Sequence, residues 1–452
     1  MFTKWDMLVL VAILITPNVA TVASDDIPAN VDSLFEKSKA GIVTTEKMRD
    51  DFMQMRQILE EDHCCLYEYT KKDAFDSLFG RQYDLINRPM AMNEFLNILT
   101  PITSKIGCGH TALWMPGNYW MFGENNLFPL KIRLIEDKVV AAGSYNDSNT
   151  IPGGSIIRKI GERPINDIIN EMMANYSSDG FNTNFIKAQV ERRFSMIFAR
   201  RFGFFKDFTI TYSLPGMEEI KEATLPPTSR ASVRAVLYHH PDLGFQLIEE
   251  KSTAILTITT FSYYDRVPYF RSFVDSCFSV IHDKGIENLI LDLRGNNGGD
   301  PFCAAPLFSY LEPEAFPYYA EPYRKYSELA DPIPLAENHF TGNLLTLIDG
   351  RCFSTNGHFC ALLEYHKIGK FVGTPSGSTF KCNAGKNTHF RLNNTRIMLY
   401  IGRGTYAAAV KGMDKTKPIM PDYPVKETYQ DFLGGKDVIM ETALTLIDSI
   451  KK

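Results

Sequence analysis

Residues 286–293 form a nearly continuous apolar run that ends in Arg294-Gly-Asn-Asn-Gly-Gly299. A strand without polar alternation is buried on both faces, and a sheet containing one needs helices on either side. The flanking sequence supplies them. Residues 254–261 read as a strand rich in Ile and Thr, 267–281 as an amphipathic helix, and the segment from Pro301 as another. Residues 344–348 form a further short apolar strand, 353–365 a helix, and 436–450 a closing helix. Strands alternating with helices predict an α/β core with parallel pairing over residues 231–452.

The 452 residues suggest two or three modules. In residues 44–62, Met48, Phe52, Met55, Ile58 and Leu59 share one face at helical spacing, with Thr44 or Thr45 as the cap. Met92, Phe95, Leu96, Leu99 and Ile102 repeat the pattern, so residues 25–120 are expected to form a helical module. From Phe128 the period changes to two, predicting a strand pair across the turn at 136–138. Residues 151–165 alternate apolar positions around tight glycine turns. They resemble the carboxylate-binding loop and free strand edge of PDZ domains, and equally any glycine-turned hairpin. A PDZ-like, β-rich module is therefore expected over 121–230.

Lys4, an apolar run from Met7 to Ile15, and small residues before Asp25 follow the layout of a secretory signal peptide, so residues 1–24 are expected to be removed. The run is about half of the roughly 20 residues a spanning helix needs, which predicts no stable membrane insertion and a secreted or periplasmic protein. Net charge is -5 with no long basic run, which argues against nucleic-acid partners. The eight cysteines show no paired CxxC spacing, so no structural metal is expected. Asn146, Asn175 and Asn393 begin glycan acceptor triplets.

Three distant segments carry the candidate chemistry. Glycines in Leu291-Asp-Leu-Arg-Gly-Asn-Asn-Gly-Gly299 allow a sharp turn that exposes backbone amides, the kind of donor that holds an oxyanion. No Lys-Ser or Lys-Thr pair follows, which excludes a phosphate loop. In the second segment, a strand and short loop lead to Ser354 at the start of a helix. A serine there is either a helix cap or a nucleophile beside the amide of Thr355. The third segment, Ile106-Gly-Cys-Gly-His-Thr111, offers His110 as a base between small neighbours, with His63 and His358 as its rivals.

The order of these pieces resembles the tail-specific, or C-terminal processing, serine peptidase family in its tricorn-core-like branch. The matching elements are Cys108-Gly-His-Thr111, the segment 152–165, Asp292 to Gly299, Ser354, Gly373-Thr-Pro-Ser-Gly-Ser378, and Pro421-Asp-Tyr-Pro-Val425. The resemblance implies a ClpP/crotonase-like catalytic core, peptide or protein-tail substrates, and no cofactor or metal. It also implies Ser354 as nucleophile, His110 as general base, and the amides of Gly298 and Thr355 as the oxyanion hole. Many members pair serine with lysine instead; the nearest lysine here, Lys381, stands outside any matching motif. Gly357 replaces the glutamate usual three residues after the serine, and Cys108 replaces an acid. Asp292, Asp414 and Asp422 are the candidate partners for His110. A catalytically inactive member binding peptides or lipids is the alternative, and an acyl-CoA enzyme on the same core ranks third. A PDZ-like module that moves to gate access to Ser354 is a further expectation.

Overall fold

The computed structural model describes residues 41–146, 149–238 and 242–450. The predicted signal peptide lies outside the described residues. The first helices, α1 (Thr45–Asp62), α2 (Lys72–Asp84) and α3 (Met92–Lys105), pack through the expected apolar faces. Thr44 caps α1, its Oγ1 accepting from the Lys47 amide at 3.5 Å. After α3 the chain makes the loop carrying His110 and enters the short strand β1 (Ala112–Trp114).

The middle module contains an antiparallel sheet of β2 (Leu130–Ile135), β3 (Lys138–Ser144), β4 (Ile156–Ile160), β5 (Phe208–Ser213) and β6 (Ile220–Leu225), in that spatial order. Three helices that period-two reasoning passes over fill the long connection between β4 and β5: α4 (Ile165–Ala174), α5 (Thr183–Arg192) and α6 (Phe194–Phe202). The free edge expected at 151–165 is not there. Strand β4 is hydrogen-bonded to β3 on one side and β5 on the other, and the Gly154 amide donates to the Ala141 carbonyl at 2.8 Å. The sheet's edges are β2 and β6 instead.

The core sheet has six strands: β7 (Leu243–Ile248), β8 (Thr253–Ile258), β9 (Asn288–Asp292), β10 (Asn343–Ile348), β11 (Lys370–Gly373) and, added last, Tyr423–Pro424. All pairs are parallel except β7 with β8. Helices α7 (Val267–Asp283), α8 (Pro301–Ser309) and α9 (Thr355–His366) share one large apolar cluster with one face of this sheet, while α10 (Val438–Ile450) covers Ile255, Ile290, Leu345 and Val372 on the other. Every residue of β9 is buried, as the nearly continuous apolar run around it leads one to expect.

The late hairpin of Thr388–Arg391 and Met398–Ile401 leaves the core and pairs with β1, placing Leu392, Ile397, Leu399 and Ile401 in the core of the N-terminal helices. The N-terminal module is thus completed by residues almost 300 positions downstream. All eight cysteines are free thiols, and among the described residues no helix is long and apolar enough to cross a membrane.

Candidate active site

Parallel strands β9 and β10 end side by side, and their C-terminal loops meet. The Phe353 amide donates to the Asn296 carbonyl at 3.2 Å, and Asn356 Nδ2 donates to the same oxygen at 3.1 Å. A third link joins the Gly295 amide to Asp349 Oδ1 at 3.0 Å. The contact is close enough to need glycine: a Cβ on Gly298 would lie 2.6 Å from the Phe353 carbonyl oxygen and 2.9 Å from Ser354 Cβ. Gly298 also has a φ of +91°, in the region where only glycine is unstrained.

Ser354 sits at the N-terminus of α9 but does not cap it; its side chain makes no cap hydrogen bond. Its backbone is held at φ +57° and ψ −124°, a conformation that costs a non-glycine residue about 1–3 kcal/mol. The hydroxyl instead faces His110, with 3.0 Å between Ser354 Oγ and His110 Nε2. The two residues are 244 positions apart in the chain.

His110 is held from three directions. Its ring stacks on Phe353, centroids 4.7 Å apart, and Phe353 stacks in turn on Phe185 of α5 at 4.2 Å. The preceding residue, Gly109, approaches Phe353 so closely that a Cβ would fall 2.6 Å from the ring. The turn Asp179–Phe181 holds the loop itself: the Gly109 amide donates to Asp179 Oδ1 at 2.7 Å and the Gly180 amide to the Gly107 carbonyl at 3.0 Å. Asp179 Oδ2 accepts from the Ser378 hydroxyl at 3.2 Å. Burial pushes the Asp179 carboxyl up from 3.8 to about 7, against the pull of these donors. Nothing in the sequence marks Asp179 beyond an Asp-Gly pair in a polar turn.

Burial also draws the His110 imidazole down from 6.5 to about 4, which keeps it neutral and able to accept a proton near pH 7. Its Nδ1 is shielded and, among the described residues, has no hydrogen-bond partner. None of the three expected carboxylates reaches it. Asp292 is gripped by Arg294 through two bonds of 2.9 and 2.7 Å, Asp414 accepts from Thr416, and Asp422 accepts from Lys370 Nζ and the Phe371 amide.

The rival histidines separate. His63 Nε2 pairs with Thr111 Oγ1 at 2.8 Å and its Nδ1 accepts from the Cys65 amide, so it braces the loop behind His110. His358 lies one turn into α9, buried beside His110, with both ring nitrogens unpartnered. Burial, then the neighbouring His110, lower it to about 3. Lys381 ion-pairs with Glu68, away from Ser354, while its neighbour Cys382 lines the cavity, because adjacent strand residues face opposite sides. Gly357 stands where the resemblance expects glutamate and packs against Ser378.

The amides expected to form an oxyanion hole differ in availability. The Thr355 amide, at the positive end of α9, has no partner among the described residues, whereas the Gly298 amide donates to Asn296 Oδ1 at 2.8 Å. Asn296 folds back in this way because it fixes the positive-φ turn at Gly298. Above Ser354 opens a cavity of about 1230 Å³ lined by residues of all three modules. Among the described residues no group of His, Cys, Asp and Glu is arranged to hold a metal.

A parallel α/β core with a serine at a strained strand-to-helix turn, facing a histidine at the floor of a cavity, defines the class of serine-type hydrolases. Residues 252–425 match the model of peptidase family S41, a family of serine-type hydrolases. The chain's fold is that of the protein named CPAF. The mature form is 13% identical with a TM-score of 0.64, the alignment covering 90% of this chain and 98% of that one. A mutant of the same protein gives 11% identity and a TM-score of 0.65, covering 89% and 98%. Mature CPAF complexed with lactacystin gives 14% and 0.62, covering 90% and 99%. The comparison with curated proteins finds no match.

Proposed function

We propose that this protein is an exported endopeptidase or C-terminal processing peptidase that cleaves peptides or protein tails through an acyl-enzyme on Ser354. The observation that carries the proposal is the Ser354 hydroxyl, turned from its helix-capping position towards His110 Nε2 at 3.0 Å. His110 removes the hydroxyl proton as Oγ attacks the carbonyl, then returns it to the leaving amine. The Thr355 amide donates to the developing oxyanion, and the Gly298 amide joins it once Asn296 yields the bond. His110 works without a hydrogen-bonded carboxylate; stacking on Phe353 and the Asp179-held loop orient its ring. The middle module is read as a PDZ-like substrate platform, now on its antiparallel sheet as a whole. Export rests on the N-terminal leader pattern.

The orphaned His110 Nδ1 favours a second reading, a member that holds peptides without cutting them. One experiment separates the two. The purified protein and Ser354→Ala are treated with a serine-reactive phosphonate and, separately, a mixed peptide library read by mass spectrometry. Labelling and cleavage by the parent alone support the enzyme; labelling that persists in Ser354→Ala would remove the nucleophile assignment, and silence from both would favour the binding protein.

A further inference from the structure

The cavity over Ser354 is far from neutral. Its lining carries seven Arg or Lys side chains and a single acidic one, Asp242, in a chain whose net charge is -5. Some of these cations serve other partners: Arg294 is committed to Asp292 and Asp437. Three are not. Among the described residues, Arg193, Arg200 and Arg351 make no ion pair with a carboxylate. Arg200 donates from Nη2 to the Leu113 carbonyl at 2.8 Å, and Arg351 from Nη2 to the Gly295 carbonyl at 2.7 Å. Both have a shielded Nε without a partner. Burial, and then the nearby Arg193 where α5 ends, lower the proton affinity of both, while Asp349 and Glu191 pull that of Arg351 back up. Three like charges among the residues lining one cavity repel one another, and leaving buried guanidinium donors unused costs stability. Such an arrangement persists most economically where an anion completes it. Guanidinium forks match carboxylates in particular.

We infer that Arg193, Arg200 and Arg351 form a substrate subsite for a carboxylate beside the Ser354–His110 pair. This inference deepens the peptidase reading and rests on it for the word substrate. Arg351 precedes Ser354 by three residues, so their Cα atoms are at most about 11 Å apart. The carboxylate therefore belongs to a residue within about three positions of the bond at Ser354. It comes from an Asp or Glu side chain or from the chain's own C-terminus.

Capture by Ser354→Ala tests the subsite without requiring turnover. Two randomised peptide libraries, one with free C-termini and one amidated, are equilibrated with the immobilised variant, and bound peptides are read by mass spectrometry. Enrichment of Asp and Glu by about 10-fold or more in both libraries identifies a side-chain carboxylate; enrichment of the free-acid library alone identifies a terminal one. Adding Arg193→Glu, with Arg193→Met as a milder variant should the first fail to fold, is expected to erase either preference. No carboxylate enrichment, or enrichment indifferent to both Arg193 variants, overturns the subsite. Selective capture alongside a wild-type protein that neither cleaves nor takes phosphonate would sink the catalytic reading and leave the subsite standing.

Discussion

At the scale of residues, the site rests on two groups whose ionisation is displaced by burial. With His110 lowered to about 4, its neutral form prevails from pH 7 down to about pH 5. The acid limb of kcat/KM is expected near pH 4 rather than near 6.5, and a pH–rate profile on any cleaved peptide reads it directly. His110→Ala and Ser354→Ala should each lower kcat about 10,000-fold or more, and the double variant little further, since the pair acts as a unit. Asp179 shifts in the opposite sense. Its folded-state pKa of about 7 lies above the ordinary 3.8, so the stability its protonated form contributes is complete below about pH 4 and lost as pH rises through 7. Asp179→Asn keeps an acceptor for the Gly109 amide and cannot ionise. Its melting temperature relative to the parent should therefore climb between pH 4 and 8; a flat difference would mean that the carboxyl is hydrated.

At the scale of elements, the decisive feature is the junction of two strand ends. The glycine loop after β9 was readable as a place of exposed amides, and Ser354 as a residue opening α9. What the sequence left open was whether Ser354 caps the helix or faces a base, because that depends on where the Gly298 turn lies. The 2.6 Å gap from a virtual Gly298 Cβ to the Phe353 carbonyl makes this junction intolerant of a methyl group. Gly298→Ala is expected to cost about 1–3 kcal/mol of stability and to displace Ser354, lowering kcat/KM by at least about 100-fold in a protein that still melts cooperatively. Denaturant titration beside the peptide assay checks both parts. The misread at 151–165 has a related cause. Glycine turns and alternation specify a strand, but whether its edge is free depends on neighbours that arrive later, here β5.

At the scale of the whole molecule, the modules are interlocked. Helix α5 of the middle module contributes Phe185 to the aromatic stack and Gln189 to a 2.8 Å bond with Asn297 of the glycine loop, while Asp179 holds the His110 loop. These contacts make the middle module part of the site rather than a detachable gate. Deleting residues 121–230 should therefore abolish activity; an active remnant would restore the gating picture. The late hairpin that completes the N-terminal core gives a second test. Leu399 is fully buried among those helices, and Leu399→Ala is expected to cost about 2–5 kcal/mol, with loss of amide protection in α1 to α3 seen by hydrogen exchange.

Local pattern determined much of this protein. The nearly continuous apolar run around β9, the alternation of strands with helices and the helical spacing of Met48 to Leu59 each report burial along a single segment, so the α/β core and the N-terminal helices were legible. Ser354 and His110 were candidates there, one at a helix start and one between small neighbours, and only the family resemblance paired them as nucleophile and base. Tertiary structure alone decided the rest. It brought Asp179 under the His110 loop, left His110 Nδ1 without a carboxylate among the described residues, tied the Gly298 amide to Asn296, and brought Arg193, Arg200 and Arg351 to the lining of one cavity. Each of these depends on which loops meet at the ends of parallel strands. Sequence periodicity records which face of a segment is buried, and is silent on what is waiting there.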